Sequence, residues 1–192
     1  MPYTENTVTI AAPPAFVYVQ SLTRCISSRE SQLTHTSADV SYDFSSFPEW
    51  NPLVRSLVSR DLTPEGRPMV GSKLEAVLHM GNPDKPMVGK GTPTVVRADD
   101  EELSWLGTKG HWTIFEGYHR FEFKKGDASG TTTTFKHSEK LRGILGWVFY
   151  MIFRRKLEVA YVTMDKKFKE EVEARYAKFK AGGAGEAGSI KD

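Results

Sequence analysis

The hydrophobic pattern of the chain changes its period once, and this change limits the folds that the sequence can adopt. Between about residues 72 and 141 apolar side chains alternate with polar ones, as in strands that bury one face. From about Leu145 to Lys180 they recur every three or four residues, as on one face of a helix. A run of antiparallel strands followed by one long helix predicts an α+β fold, in which the helix closes one side of a curved antiparallel sheet.

Local patterns predict the individual elements. Residues 7–11 are rich in β-branched side chains and predict a first strand, and Pro13 and Pro14 predict a helix over about residues 15–22. Pro93 cannot donate to a sheet, so the strand that contains it is expected to be bulged or at a sheet edge. The further predicted strands are residues 72–80, 88–97, 102–108, 117–125 and 131–141.

Composition places the chain in a broad class. With 192 residues, 39% of them hydrophobic and 26% charged, the sequence suits one soluble domain. The single cysteine, Cys25, excludes an intramolecular disulfide framework. The N-terminus has no apolar signal segment and no apolar run is long enough to span a bilayer, so a cytoplasmic location is expected. We expect a single domain over residues 1–180 and a disordered Gly/Ala-rich tail over residues 181–192.

Three ionisable side chains fall on apolar strand faces. His119 lies on the apolar face of one strand, and His137 and Glu139, two residues apart, lie on that of the next. Burial would raise the pKa of Glu139, and a neighbouring imidazolium would lower it. One hypothesis is a polar end to a hydrophobic pocket, where these groups orient or protonate a ligand carbonyl or hydroxyl. The alternatives are a structural hydrogen-bond network and a strand end wet by solvent.

The large aromatic side chains allow two interpretations. Trp50, Trp105, Trp112 and Trp147 are each expected in the core, although such residues can also line the mouth of a ligand site. Residues 143–153 are apolar all round and are therefore expected to pack over the sheet. The alternative is a transient contact with an anionic membrane surface through the segment that begins at Trp147 and ends at Lys156.

Several kinds of site are not indicated. The segment Gly89-Lys90-Gly91-Thr92 lacks the flanking residues of a phosphate-binding loop. No helical ligand spacing supports a metal site at the histidines, and neither a metal nor a cofactor is expected. Because the aromatic residues fall on faces that are expected to be buried, we expect no nucleic-acid partner. The sequence leaves the oligomeric state open.

Six short segments follow one another in a characteristic order. They are residues 10–18 (IAAPPAFVY), 47–52 (FPEWNP), 102–105 (ELSW), 117–121 (GYHRF), 133–139 (TTFKHSE) and 164–173 (MDKKFKEEVE). In order and spacing they resemble the SRPBCC superfamily, which comprises START-like, polyketide cyclase/dehydrase and lipid-transport proteins. The resemblance implies a helix-grip fold, with a seven-stranded antiparallel sheet around a long C-terminal helix and a hydrophobic cavity between them.

The resemblance also implies a function. Cavities of this superfamily hold lipids, sterols, polyketides or quinones, so we expect a protein that binds or transports a small hydrophobic ligand and is not an enzyme. The alternative is a polyketide cyclase or dehydratase that uses His119, His137 or Glu139 as acid–base groups. The residues expected to contact the ligand are Trp50, Leu74, Leu78, Trp105, His119, Phe121, Phe135, His137, Glu139, Leu157 and Tyr161.

The chain departs from the superfamily pattern at residues 19–42. This insertion is rich in Ser and Thr and shows no period of either two or 3.6 residues. One interpretation is a flexible loop at the cavity mouth. Our hypothesis is a translated intron, because a Val19 codon begins with the bases that open an intron and Ala38-Asp39 can be encoded by a common branch-point sequence. Cys25 lies inside the insertion, and we expect no function for it.

Overall fold

The chain folds into a series of strands followed by one long helix. The computed structural model describes residues 1–14, 16, 17, 51, 53–64, 67–82 and 85–186. The strands in these residues are β1 (Tyr3–Ile10), β2 (Val54–Ser59), β3 (Leu74–Asn82), β4 (Lys85–Gly91), β5 (Thr94–Ala98), β6 (Glu102–Thr108), β7 (Glu116–Lys125) and β8 (Thr133–Arg142). The helix α1 (Gly143–Glu186) follows β8 directly. Pro14, Phe16 and Val17 are helical, and the rest of the helix predicted there lies outside the described residues.

Antiparallel pairing builds two sheets that join at one point. The larger has the order β1-β8-β7-β6-β5 and the smaller the order β2-β3-β4. They are joined where β3 begins, because the N–H groups of Gly71 and Leu74 donate to the carbonyls of Val95 and Pro93, each at 2.8 Å. Helix α1 packs across β1, β8 and β7. The predicted α+β class, a curved antiparallel sheet closed by one C-terminal helix, is confirmed.

The core lies between α1 and the inner face of the larger sheet. Tyr161, Met164, Phe168 and Val172 form the buried stripe of α1, as the helical period predicts. The predicted alternation in β7 and β8 is also confirmed for their aromatic residues. Phe121, Phe123 and Phe135 are buried on the sheet face that packs against α1. The opposite face of the sheet carries ion pairs, among them Arg120 to the buried Glu102 at 2.6 Å.

Two strands differ from the prediction for local reasons. The segment 88–97 is divided between β4 and β5, because Pro93 between them has no N–H to donate. The expected irregularity is present in β5, an edge strand with a register shift between Val95 and Arg97. Strand β2 was not predicted, because a register shift after Val54 places its buried residues three apart, at Val54 and Leu57.

The expectation that most of residues 143–153 pack over the sheet is wrong. Ile144, Trp147 and Met151 are exposed at 74%, 57% and 61%, and Trp112, also expected in the core, is exposed at 59%. A helix lying on a sheet covers only one of its sides, so a segment that is apolar all round leaves its other side bare unless a further layer covers it. Helix α1 also runs to Glu186, beyond the predicted end near Lys180. No described helix is long and apolar enough to cross a membrane.

Candidate functional site

Strand register brings the predicted polar residues together on the inner face of the larger sheet. His119 in β7 is paired with Trp105 in β6 on one side and with Glu139 in β8 on the other. One row further, Phe121 is paired with His137. Directly paired residues share a face of the sheet, so these five side chains form one continuous patch.

His119 is enclosed by rings. Its imidazole stacks on the Trp105 indole with 4.3 Å between ring centroids, meets Phe121 edge-on at 4.8 Å and lies 4.6 Å from the His137 ring. The side chain is buried, and Nε2 has no hydrogen-bond partner among the described residues. Burial, reinforced by the nearby His137, lowers the pKa of His119 well below 6.5. His119 is therefore a neutral imidazole at physiological pH.

His137 belongs to a hydrogen-bonded chain that runs through Asp165 on α1 to Asn6 on β1. Its Nδ1 lies 2.9 Å from Oδ1 of Asp165, and Nδ2 of Asn6 donates to Oδ2 of Asp165 at 2.7 Å. This contact fixes the orientation of the imidazole ring, with Nδ1 towards the Asp165 carboxyl group. This leaves Nε2 of His137 directed away from Asp165, again without a partner among the residues described. Tyr161 covers the ring at 4.6 Å between centroids.

Glu139 lies at the edge of this patch. A Cβ placed on Gly117 would lie 3.7 Å from its Oε1, 3.3 Å from Leu141 and 3.6 Å from the Phe115 ring, so the carboxylate shares an apolar setting. Burial raises the pKa of Glu139 from its ordinary value of 4.5 to about 7. Near neutral pH this group is thus divided between a neutral acid that donates a hydrogen bond and a carboxylate that accepts one.

Together these residues form what we call the histidine cluster, defined as Trp105, His119, His137, Glu139 and Tyr161. It offers two imidazole Nε2 atoms and one carboxyl group within an aromatic wall. Such groups can bind a carbonyl or hydroxyl, and a His–Asp pair can move a proton. No group of three or more potential metal ligands occurs in the described part of the chain.

The remaining residues of the predicted ligand site occupy different environments. Phe135 packs between Phe121 and Phe168, at 5.4 and 4.8 Å between ring centroids. Leu74 and Leu157 are buried, and Leu78 is half-buried against the core. Trp50 and the insertion at residues 19–42 lie outside the described residues. The assignment of these residues to a ligand site stays a prediction.

The sequence reasoning missed Asp165 and Asn6. Asp165 falls on the buried stripe of α1, four residues after Tyr161 and three before Phe168, and a carboxylate in that position signals a buried partner. Asn6 alternates with Val8 on the inner face of β1 and is paired with His137 in register. Neither signal identifies the partner, because the contact joins residues 28 and 159 positions apart in the chain.

A second feature lies on the surface. An open apolar groove of about 440 Å³ is lined by Trp112, Thr113, Gly143, Ile144 and Trp147. It lies between the loop before β7 and the first turns of α1. The groove shares no lining residue with the histidine cluster. It is also a different place from the cavity that was predicted between the sheet and the helix.

Comparison with known proteins places the fold. No protein-family model and no curated protein matches the sequence. A START superfamily protein from Mycobacterium smegmatis is similar in structure, with a TM-score of 0.56 and 16% identity over 90% of this chain and 97% of that one. The Zhui aromatase/cyclase from Streptomyces sp. R1128 gives a TM-score of 0.53 at 13% identity, over 91% of this chain and 95% of that one.

One further solved structure has two domains. The di-domain ARO/CYC StfQ from the steffimycin biosynthetic pathway is matched over 91% of this chain and 51% of its own, with 14% identity and a TM-score of 0.52. Likeness at this level of identity concerns the fold alone. The chain has the START-like helix-grip fold that its sequence motifs predicted.

Proposed function

We propose that this protein binds and carries a small hydrophobic ligand whose polar group is held by the histidine cluster. The fold is shared with a START superfamily protein and with aromatase/cyclases, which supports this class of function. A buried chain of ten methylenes would gain about 8 kcal/mol by transfer from water. Association costs of about 4 kcal/mol or more leave an affinity that suits a carrier which must also release its ligand.

The observation that carries the proposal is that the Nε2 atoms of His119 and His137 are buried without a hydrogen-bond partner in the part of the chain that the structure describes. Leaving a buried polar atom unsatisfied costs about 1–3 kcal/mol. A ligand that offers a hydroxyl or carbonyl to these atoms recovers part of that cost, whereas a plain hydrocarbon does not. We therefore expect a ligand with a long or flat apolar body and one polar end.

Native mass spectrometry tests this proposal and identifies the ligand. The full chain, expressed in a lipid-rich host, is expected to carry an additional mass that is lost on denaturation. Replacing His119 by Phe is expected to reduce the occupied fraction several-fold, because the polar end loses its partner. His111→Phe is the matched control, since His111 is exposed and its described side-chain hydrogen bonds are local, to Thr113.

Two results would contradict the proposal. The first is a wild-type chain that carries no ligand from such a host. The second is a folded His119→Phe variant, as judged by circular dichroism, that keeps its ligand as well as the His111→Phe control does.

A second candidate function is catalysis of a polyketide cyclisation. It is favoured by the His137–Asp165 contact, by the near-neutral pKa of Glu139 and by the cyclases among the structural relatives. In such a reaction Nε2 of His137 would take a proton from a CH₂ group between two carbonyls. The enolate carbon would then attack another carbonyl, and Glu139 in its acid form would protonate the resulting alkoxide.

Binding and turnover separate the two functions. With a poly-β-carbonyl thioester as substrate, an enzyme is expected to lose turnover but keep binding in His137→Ala and Glu139→Gln. Absence of turnover in the wild type, with binding present, would leave the carrier function alone.

A further inference from the structure

The first turns of α1 expose an apolar face. Ile144, Trp147, Val148, Met151 and Ile152 follow the spacing i, i+3, i+4, i+7 and i+8, so they lie on one side of the helix. All five are exposed, Ile152 at 66%. Trp112 lies across the groove from Ile144 and Trp147. Contiguous exposed apolar surface of this kind marks an interaction site.

The surface is held in place by backbone contacts. The N–H groups of Ile144 and Leu145 donate to the carbonyls of Thr113 and Ile114, both at 2.9 Å, so the loop caps the helix. Gly143 makes this approach feasible, because its φ of +83° is readily available only to glycine and a Cβ there would lie 2.5 Å from the Ile114 carbonyl oxygen. The loop and the helix start therefore present Trp112 and Trp147 together.

The charged side chains within the first fifteen residues of α1 all have the same sign. Residues 143–157 contain Arg154, Arg155 and Lys156 and no acidic residue. All three side chains are exposed. Arg154 pairs with Glu158 at 2.8 Å. Arg155 lies on the same side of the helix as Ile144, Val148 and Ile152. An apolar face with tryptophans and a basic border is typical of a helix that lies in a membrane interface.

We propose that this surface, defined as Trp112, Ile144, Trp147, Val148, Met151, Ile152, Arg155 and Lys156, docks on an anionic phospholipid bilayer. The apolar side chains enter the boundary between headgroups and acyl chains, and the two basic residues contact the headgroups. A second copy fits less well, because its matching surface carries the same two basic residues and no acidic residue to pair with them. Trp147 lies about 21 Å along the helix from Tyr161 of the histidine cluster, so docking does not depend on ligand binding there.

Vesicle co-flotation of the full chain tests the proposal. We compare vesicles of phosphatidylcholine with vesicles of phosphatidylcholine mixed with phosphatidylserine, at low and high salt. The protein is expected to bind the anionic vesicles at low salt, with a blue shift of its tryptophan emission, and to bind less at high salt. The experiment uses protein without bound ligand. A failure to bind vesicles is therefore distinct from a failure to bind the hydrophobic ligand.

Two pairs of variants separate the apolar and charged contributions. Trp147→Ser with Met151→Ser is expected to weaken vesicle binding about tenfold or more, whereas Val162→Ser, an exposed residue further along α1, is expected to have little effect. Arg155→Glu with Lys156→Glu is expected to cost about tenfold or more on anionic vesicles. Lys166→Glu with Lys167→Glu makes the same change of charge on exposed residues outside the surface and serves as its control.

Other occupants of this surface would be recognised by different results. A dimer in analytical ultracentrifugation that Trp147→Ser dissociates would assign the surface to a second copy and overturn the proposal. Tryptophan emission whose acrylamide quenching is unchanged by loss of Trp147 would show that the free protein already covers this side chain. Absence of binding to anionic vesicles, or equal binding by the variants and their controls, would also overturn it.

Discussion

Two buried histidines lie in ring contact, yet their surroundings give them different chemistry. The Nδ1 atom of His137 lies within hydrogen-bond distance of the Asp165 carboxyl group, and this contact fixes the orientation of the ring. His119 has aromatic rings on the sides described and no charged partner there, so burial keeps it neutral. One imidazole is therefore held by a side-chain partner on α1, while its neighbour offers only neutral hydrogen bonding.

Glu139 makes the stability of the protein depend on pH. The ordinary pKa of a glutamate side chain is 4.5, and the pKa of Glu139 in the folded protein is about 7. Between these values the folded protein holds a proton that the unfolded chain has released, so the free energy of unfolding falls as pH rises through this window. Glu139→Gln removes the dependence and is expected to be more stable than the wild type at pH 8 by about 1–3 kcal/mol, with little difference at pH 4.

Urea unfolding at several pH values measures this difference. Glu101→Gln is the matched control, because Glu101 is an exposed acidic residue beside the same sheet. A Glu139→Gln variant whose stability follows the wild type in parallel from pH 4 to pH 8 would show that the surroundings of this carboxyl group do not raise its pKa.

For single residues, the sequence predicted the sheet face on which a side chain lies better than it predicted the hydrogen-bond partner of that side chain. Alternation in β7 and β8 was enough to place His119, His137 and Glu139 on one side of the sheet. It could not supply the Asp165 contact, since the rotation of α1 relative to the sheet is fixed by packing along the whole helix. Nor could it indicate that Glu139 would lie without a described partner while His137 obtained one.

Among the elements, the start of α1 depends most on a single residue. Strand β8 passes into the helix at Gly143 with no intervening loop, and the chain turns there through a positive φ. The carbonyls of Thr113 and Ile114 occupy the space beside it and cap the first helical N–H groups. The helix start, the capping loop and the exposed apolar surface thus form one unit.

Gly143→Ala is expected to destabilise the protein by about 1–3 kcal/mol or more, because alanine disfavours the positive φ and its Cβ would collide with the Ile114 carbonyl. Gly146→Ala, three residues later in the same helix, is the control. A Cβ there would meet Leu141 at 3.5 Å, an ordinary contact, and alanine favours a helix, so we expect no loss or a gain of up to about 1 kcal/mol. Thermal and urea unfolding measure both, and equal effects would contradict the assigned role of Gly143.

Elements with a regular pattern were predicted closely, and irregular ones were not. Strand β6 was predicted at its observed bounds, and β7 within one residue. Strand β2 escaped because its register shift breaks the period on which the prediction depends. The burial of residues 143–153 was overestimated, because hydrophobicity alone does not show whether a further layer of secondary structure covers the outer side of the helix.

At the scale of the whole molecule, the described residues account for a helix-grip fold without residues 19–42. The helical residues Phe16 and Val17 and the buried Asn51 lie on either side of that insertion. The Asn51 side chain accepts hydrogen bonds from the N–H groups of Leu53 and Val54, so the chain after the insertion is fixed by its own local contacts. We predict that the 24 inserted residues are dispensable for folding.

Deletion of residues 19–42, which joins Tyr18 to Asp43, is therefore expected to preserve the fold. The entropic cost of closing a loop falls only slowly as the loop is shortened. The free energy of unfolding is therefore expected to be unchanged or higher by about 1 kcal/mol. Circular dichroism and thermal unfolding of the full chain and of the deletion variant measure this. A deletion variant that is less stable than the full chain would assign the insertion a structural role. A spliced transcript that still encodes the segment would overturn the intron hypothesis, whichever way the stability changes.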